Sequence, residues 1–346
     1  MVTYRSKHGG LWTDRSDREE VLQQKVAEGE ISPDDQFLFE KFMKDGFVIV
    51  EGAVDHALCD AMVAELDRLA VTGDQNVLVY GSPEPGEISR PVPPNFQTRG
   101  ERLVDQYCVS DTARKILTAP VIERFLRIAF EMPPLIFQSL TFIQGSEQHL
   151  HQDTAYVVVN EPMKLIAAWI ALEDVVEGSG ELAYLRGSHQ LPDFEFGGDR
   201  KHWNPELDGD GPHDEWLKWI VRRSEELGFE RQTFLARKGD VLFWSADLVH
   251  GGSPLSDPNQ TRKSLVGHYC PVSANPHYFS FMPDRIKIAE QAFFISSSYY
   301  DARVIGAPEL LRPTQQTSDV IPNVDKRSNF RKIGGRVKRK LSRSGR

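Results

Sequence analysis

Cysteine is scarce in this chain of 346 residues: Cys59, Cys108 and Cys270 are an odd number, widely spaced, with no C-x2-C pair. That excludes a disulfide framework and the common zinc-ribbon spacing, and it suits a reducing compartment. No run of about 18 apolar residues occurs, so no transmembrane helix is expected. The opening Met1–Lys7 leads into charged residues without an apolar stretch, which gives the expectation of a cytoplasmic protein without a signal peptide. No internal repeat is evident. Charge is unevenly placed: 326–346 carries ten Lys and Arg and no Asp or Glu, in a chain whose net charge is −9. Such a tail reads either as a solvated terminus or as a contact for an acidic surface, where each basic residue contributes roughly 1 kcal/mol. An acidic body argues against nucleic acid as the main partner.

What is present is ample core material, 40% hydrophobic residues, arranged in short segments. Helices are expected at Arg18–Glu28, from an Asp34 or Asp35 cap through Lys44, after Asp55 with Leu58, Met62, Leu66 and Leu69 on one face, and from Asp111 to Phe130. Residues 72–97, rich in Gly and Pro, read as a long irregular segment of the kind that covers a site. Phe47–Val50, Leu135–Ile143, Gln148–Tyr156, Leu165–Leu172, Leu182–Leu185, Arg231–Ala236, Val241–Trp244 and Lys263–Tyr269 read as strands. Short strands with turn signals between them suggest a sandwich or barrel rather than a parallel βαβ sheet. An insertion at about 192–228 carries Trp203, Trp216 and Trp219 with a helix near Asp214–Leu227.

Two motifs carry chemistry. His151-Gln152-Asp153 is followed much later by His250-Gly251-Gly252-Ser253. Two imidazoles and one carboxylate can occupy one face of a ferrous ion, leaving positions for a chelating cosubstrate and for O2. In a strand, residues i and i+2 share a face, so His151 and Asp153 can reach one metal while Gln152 turns away. On the residues alone, His151 is equally a surface strand histidine, and His250 a loop histidine beside glycines.

The wider pattern resembles the phytanoyl-CoA dioxygenase family of Fe(II)/2-oxoglutarate enzymes. The matching fragments run from Asp45-Gly46-Phe47-Val48-Ile49-Val50 through the His151 motif, Trp169–Asp174, Gly178–Leu182, Gly187-Ser188-His189, Lys238–Phe243 and the His250 motif to Thr261-Arg262-Lys263. Arg186 stands where that family usually has proline. The resemblance implies a mainly β fold with flanking helices, a double-stranded β-helix (jelly roll, cupin-like) over 35–310. A polar extension, 1–34, would precede it and a basic tail, 311–346, would follow. It implies Fe(II) on His151, Asp153 and His250, with 2-oxoglutarate and O2 as cosubstrates.

Within that frame, Arg262 is the residue expected to grip the distal carboxylate, since a guanidinium offers two parallel donors. It and Lys263 face opposite sides of a strand, so only one enters the barrel. Ser253, Trp169, Gln138 and Thr141 are the further expected cosubstrate contacts, while Asp240, His189 and His268 read as structural. The presence of Asp153 favours hydroxylation, because related halogenating enzymes have a small residue there. The substrate is expected to be a small molecule rather than a CoA thioester, since neither loop segment is basic. The alternatives are a non-oxygenase metal-binding jelly roll and an interaction module.

Overall fold

The computed structural model describes residues 2–81, 89–96 and 99–305. The basic stretch 326–346 lies outside the described residues. Local chemistry accounts for the helical layer. Helix α1 is Arg18–Ala27, and α2, Pro33–Asp45, opens on Ser32. The cap is Ser32 rather than Asp34 or Asp35: its hydroxyl accepts from the Asp35 amide, while Asp35 answers to the Ser32 amide, a reciprocal capping box. Gly46 closes α2 at φ 82°, a left-handed turn that costs other residues energy. Helix α3, His56–Thr72, is capped by Asp55 as expected. The single helix expected over 111–130 is two, α4 (Asp111–Leu117) and α5 (Pro120–Phe130), because Pro120 has no amide to continue the ladder.

Among the described residues, thirteen strands follow the chain order. They are β1 Phe47–Val50, β2 Asp74–Tyr80, β3 Ser89–Val92, β4 Arg102–Val104, β5 Pro134–Phe142, β6 Ile166–Ala171 and β7 Leu182–Leu185. Then come β8 Arg231–Phe234, β9 Val241–Ser245, β10 His250–Gly252, β11 Ser264–Pro271, β12 Ile288–Glu290 and β13 Phe293–Ile295. The larger sheet runs β1-β9-β6-β11-β5-β4-β2-β3, with β13 beside β5 and β12 beyond it; the smaller runs β10-β7-β8. Among the described residues, all strand pairings are antiparallel except β13 on β5.

Two of these strands overturn the irregular reading of 72–97. Val77–Tyr80 is a fully buried run that pairs with both β3 and β4, and sheet pairing prevails over the turn-like Asp74-Gln75-Asn76.

The sheets stack as a jelly roll with a helical cover. Along β6, Ile166, Ala168 and Ile170 face the helices, whereas Ala167, Trp169 and Ala171 face the smaller sheet. Both faces are therefore buried, which is why β6 reads as an unbroken apolar run. Phe125 of α5 stacks between Phe39 of α2 and Phe243 of β9, with centroids at 4.8 and 4.2 Å. The N-terminal stretch joins this layer: Leu11, Trp12 and Leu22 are buried in the main core, and the Trp12 indole donates to the Ile128 carbonyl at 3.0 Å. The insertion forms α6 (Pro205–Asp208) and α7 (Gly211–Glu226), and its Phe196, Trp203, Trp216 and Ile220 make a core of their own against Ala155, Leu185 and Val249.

Candidate metal centre

The strand expected over 148–156 is not formed. Only His151 pairs, antiparallel to His250, with amide-to-carbonyl bonds of 2.9 and 3.0 Å. From Asp153 the chain turns into a 3-10 segment, Asp153–Ala155, because its carbonyl accepts from the amides of Tyr156 and Val157. Gln152 keeps an extended backbone (φ −111°, ψ 136°), so His151 and Asp153 still project to one side. The glycines after His250 allow the close approach. A Cβ on Gly251 would stand 2.7 Å from the Gln148 carbonyl oxygen, and one on Gly252 2.8 Å from the Glu147 amide nitrogen.

Three ligand atoms converge. His151 Nε2 lies 3.8 Å and His250 Nε2 3.6 Å from Asp153 Oδ1, close enough for the three residues to hold one ion. Each imidazole is oriented from behind: Nδ1 of His151 donates to the His149 carbonyl at 2.7 Å, and Nδ1 of His250 to the Leu248 carbonyl at 2.9 Å. That fixes the tautomer and leaves Nε2 with its lone pair facing inward. Burial, with the His250 ring beside it, pushes the His151 pKa down to about 3, so the ring is a neutral ligand at physiological pH. Burial would raise Asp153, but the facing His250 and His268 outweigh it and hold the carboxylate below its ordinary range.

Two residues that sequence reading missed or set aside stand behind Asp153. The Trp244 indole donates to Oδ2 at 2.6 Å, and His268 Nε2 is 3.5 Å from the same oxygen. Oδ1 is thereby left for the metal. His268 therefore belongs to the site rather than to structure alone. Its signal, and that of Trp244, lies in the register: both sit on the inner face of strands flanking β6, which the linear sequence does not display. A Trp244→Phe substitution keeps most of the ring and removes the donor, and should weaken iron ~10- to 100-fold as outer-shell losses do. Competition against a chromophoric chelator reads it.

A cavity joins the triad to Arg262, with Trp169, Leu182, Gln148 and Ser146 on its wall. Arg262 is buried, donates to the Gly180 carbonyl at 2.8 Å, and has the rings of Phe142 and Trp169 within 5.7 Å of its guanidinium carbon. Its Nε and the Trp169 Nε1 have no hydrogen-bond partner among the described residues. Burial lowers the guanidinium to about 10, opposed by Glu181, so it remains charged. A buried cation held by one carbonyl, beside a second unsatisfied donor, fits a carboxylate ligand. Lys263 points the other way, to Asp67 at 2.7 Å.

The remaining expected contacts divide. Ser253 is buried next to Gly180, its hydroxyl accepting from Arg231 at 3.4 Å. Gln138 is opposite His268 on β11 but lines a neighbouring chamber. Thr141 is the correction: it pairs with Leu103 and Leu265, which belong to the helix-side core, while Leu140 and Phe142 line the cavity. Strand alternation therefore turns Thr141 away from the cosubstrate. Arg186, in the place of a proline, bonds Asp45 at 2.9 Å on the outside of the barrel.

A family model described as phytanoyl-CoA dioxygenase (PhyH) matches residues 42–264. Phytanoyl-CoA dioxygenase domain-containing protein 1 from Bos taurus is 22% identical over 187 residues, covering 43% of this chain and 64% of that protein. Its Mus musculus counterpart is 23% identical over 188 residues with the same shares. The chain thus spans about 64% of the length of the curated relatives it matches. Among solved structures, the non-heme alpha ketoglutarate dependent epimerase SnoN from nogalamycin biosynthesis is similar at TM-score 0.51 and 21% identity, covering 80% of this chain and 98% of that one. The carbocyclase SnoK from the same biosynthesis is similar at TM-score 0.55 and 15% identity, covering 78% and 98%. These likenesses agree with the jelly-roll core. No helix among the described residues is long and apolar enough to cross a membrane.

Proposed function

The chain belongs to the phytanoyl-CoA dioxygenase family, and from that premise we propose that it is an Fe(II)/2-oxoglutarate-dependent dioxygenase that hydroxylates a small-molecule metabolite. Bound ferrous iron would supply the oxidising chemistry, with 2-oxoglutarate decarboxylated to succinate and CO2 as O2 is consumed. The chain's own residues supply the arrangement. His151, Asp153 and His250 would hold the ion on one face; Trp244 and His268 keep Asp153 Oδ2 occupied so that one oxygen, not two, is offered. Arg262 would take the far carboxylate of the cosubstrate, and the Trp169 indole offers a second donor on the same wall.

One observation carries the reading: the His151, Asp153 and His250 donor triad shares a cavity with a buried guanidinium short of acceptors. A non-oxygenase metal protein or an interaction module has no use for that cation. All three cysteines are unbonded and buried, in keeping with a cytoplasmic setting.

The direct test is substrate-dependent succinate release from a metabolite extract, with product masses recorded. A gain of one oxygen supports hydroxylation, while ring closure or epimerisation would shift the reading to the chemistry named for SnoK or SnoN. Loss of a charged hydrogen-bond pair costs ~1.5–3 kcal/mol, so Arg262→Ala should weaken 2-oxoglutarate roughly 10- to 100-fold. Unchanged cosubstrate affinity in a folded Arg262→Ala protein would remove the assignment.

A further inference from the structure

Next to the metal centre lies a second chamber whose lining is unusual in its charge. Its wall begins where the ligand motif ends, at Ala155 and Tyr156, and the Tyr156 ring stands 5.6 Å from that of His151. Gln138, on the same wall, is the register partner of His268, which itself faces Asp153. The chamber therefore adjoins the place where oxidation would occur. The insertion forms the opposite wall. Trp203 is anchored through its amide to the Ala155 carbonyl at 3.1 Å, and His213 bonds the Tyr156 hydroxyl at 2.6 Å while its ring lies 4.3 Å from that of Trp203. Tyr278, Phe281 and Tyr299 complete an aromatic enclosure.

Among the described residues, no Asp, Glu, Lys or Arg lines this chamber. Its polar side chains are the amides of Gln138 and Asn204, the hydroxyl-bearing Ser298, Tyr156, Tyr278 and Tyr299, and the imidazoles of His202 and His277. Burial holds both imidazoles below their ordinary pKa, so they are neutral at physiological pH. Two guanidiniums lie behind this lining: Arg200 pairs with Asp208 at 2.5 Å, and Arg285 donates to the Ser298 backbone carbonyl at 3.3 Å. A carboxylate or phosphate entering here would lose its hydration and meet no cation on the wall itself. An ammonium would meet ring faces and uncharged amide and hydroxyl oxygens, without a carboxylate to complete its pairing.

We infer that this chamber, resting on the oxygenase reading above, takes an uncharged, ring-bearing substrate: ring faces from Tyr156 and Trp203 receive its plane, and the amides of Gln138 and Asn204 receive its hydroxyl or carbonyl groups. Rings stack on such walls in offset or edge-on geometry without needing a counter-charge. Charged amino acids and acyl-CoA thioesters are excluded by the same feature.

A matched probe series tests this: 2-naphthol, 2-naphthoate and 2-naphthylmethylammonium, titrated calorimetrically into the full chain. Fe(II) and 2-oxoglutarate are present without oxygen, so that the naphthoate cannot take the cosubstrate's place. The expected order puts 2-naphthol about tenfold or more ahead of both charged probes, as the hydration loss of an unpaired ion requires. Asn204→Asp keeps a good helix cap for α6 and so preserves the fold, while adding a carboxylate to the wall. It should weaken 2-naphthol and strengthen the ammonium, each by about tenfold. Tyr156→Ala should weaken 2-naphthol alone.

Equal or tighter binding of either charged probe overturns the inference, as does indifference of all three probes to both substitutions, or no 2-naphthol binding at millimolar concentration. The titrations are repeated on metal-free protein. Retention of the 2-naphthol preference there, in a chain that takes up no iron, would sink the oxygenase reading and leave the chamber assignment standing.

Discussion

Asp153→Ala is expected to abolish iron uptake and reduce turnover to background. Asp153 Oδ1 is the atom that both Nε2 nitrogens approach, so its removal leaves two neutral ligands and no charge to balance a divalent ion. The loss should exceed the ~10- to 100-fold that outer-shell substitutions cause, which makes Trp244→Phe the natural comparison. Asp153→Asn separates charge from shape: it keeps the volume, loses the anion, and should fall between the two. Iron stoichiometry is measured by elemental analysis beside a thermal melt of the metal-free form. A folded Asp153→Ala protein that retains one iron per chain would remove the metal centre from this position.

Lys201→Met should be the most destabilising single change in the insertion. Its ammonium is almost fully buried and bonds Asp247 at 2.6 Å and Asp193 at 3.0 Å. Asp247 in turn accepts from the Thr154 hydroxyl at 2.7 Å, and its carbonyl accepts from the Gln152 amide at 2.9 Å. Those two bonds flank Asp153, so the insertion reaches the metal ligand through one buried carboxylate. Stranding one half of a buried pair costs ~3–5 kcal/mol, which lowers the melting temperature by roughly 4–7 °C in a chain of this size. Lys201→Met with Asp247→Asn should lose less than the sum of the single changes, because no charge is then left unpaired. Additive losses, or a melt within about 1 °C of the parent for Lys201→Met, would show that the pair carries no such weight; this margin is about what ±0.5 kcal/mol produces.

The convergence of the candidate triad was legible in the sequence because its geometry is local: an extended Gln152 puts His151 and Asp153 on one side, and paired glycines let β10 close on them. That Arg262 rather than Lys263 faces the cavity was legible for a similar reason, since neighbours along a strand face opposite sides. Thr141 misled because β5 is buried on both faces, and alternation between two dry faces does not say which is the barrel interior. Gln138 and Thr141 differ by three positions and so could not both face inward along a regular strand. The strand expected over 148–156 failed because side-chain bonds to Asp247 and the turn at Asp153 compete with a ladder. Trp244 and His268 needed the sheet order, and Lys201 needed a contact between positions 46 residues apart.

The charged root of the insertion has a consequence for redesign. Arg5 reaches the Leu191 carbonyl at 2.9 Å, and Ser6 bonds Asp193 at 3.0 Å, so the amino-terminal stretch, the start of the insertion and the turn before β10 are tied at one knot. Grafting a foreign loop at 192–228 would cut that knot and disturb ion binding along with selectivity. Recoding only the rings that face the chamber, with Lys201 and Asp193 untouched, keeps the two properties separable, so libraries aimed at new specificity belong on the wall and not at its hinge.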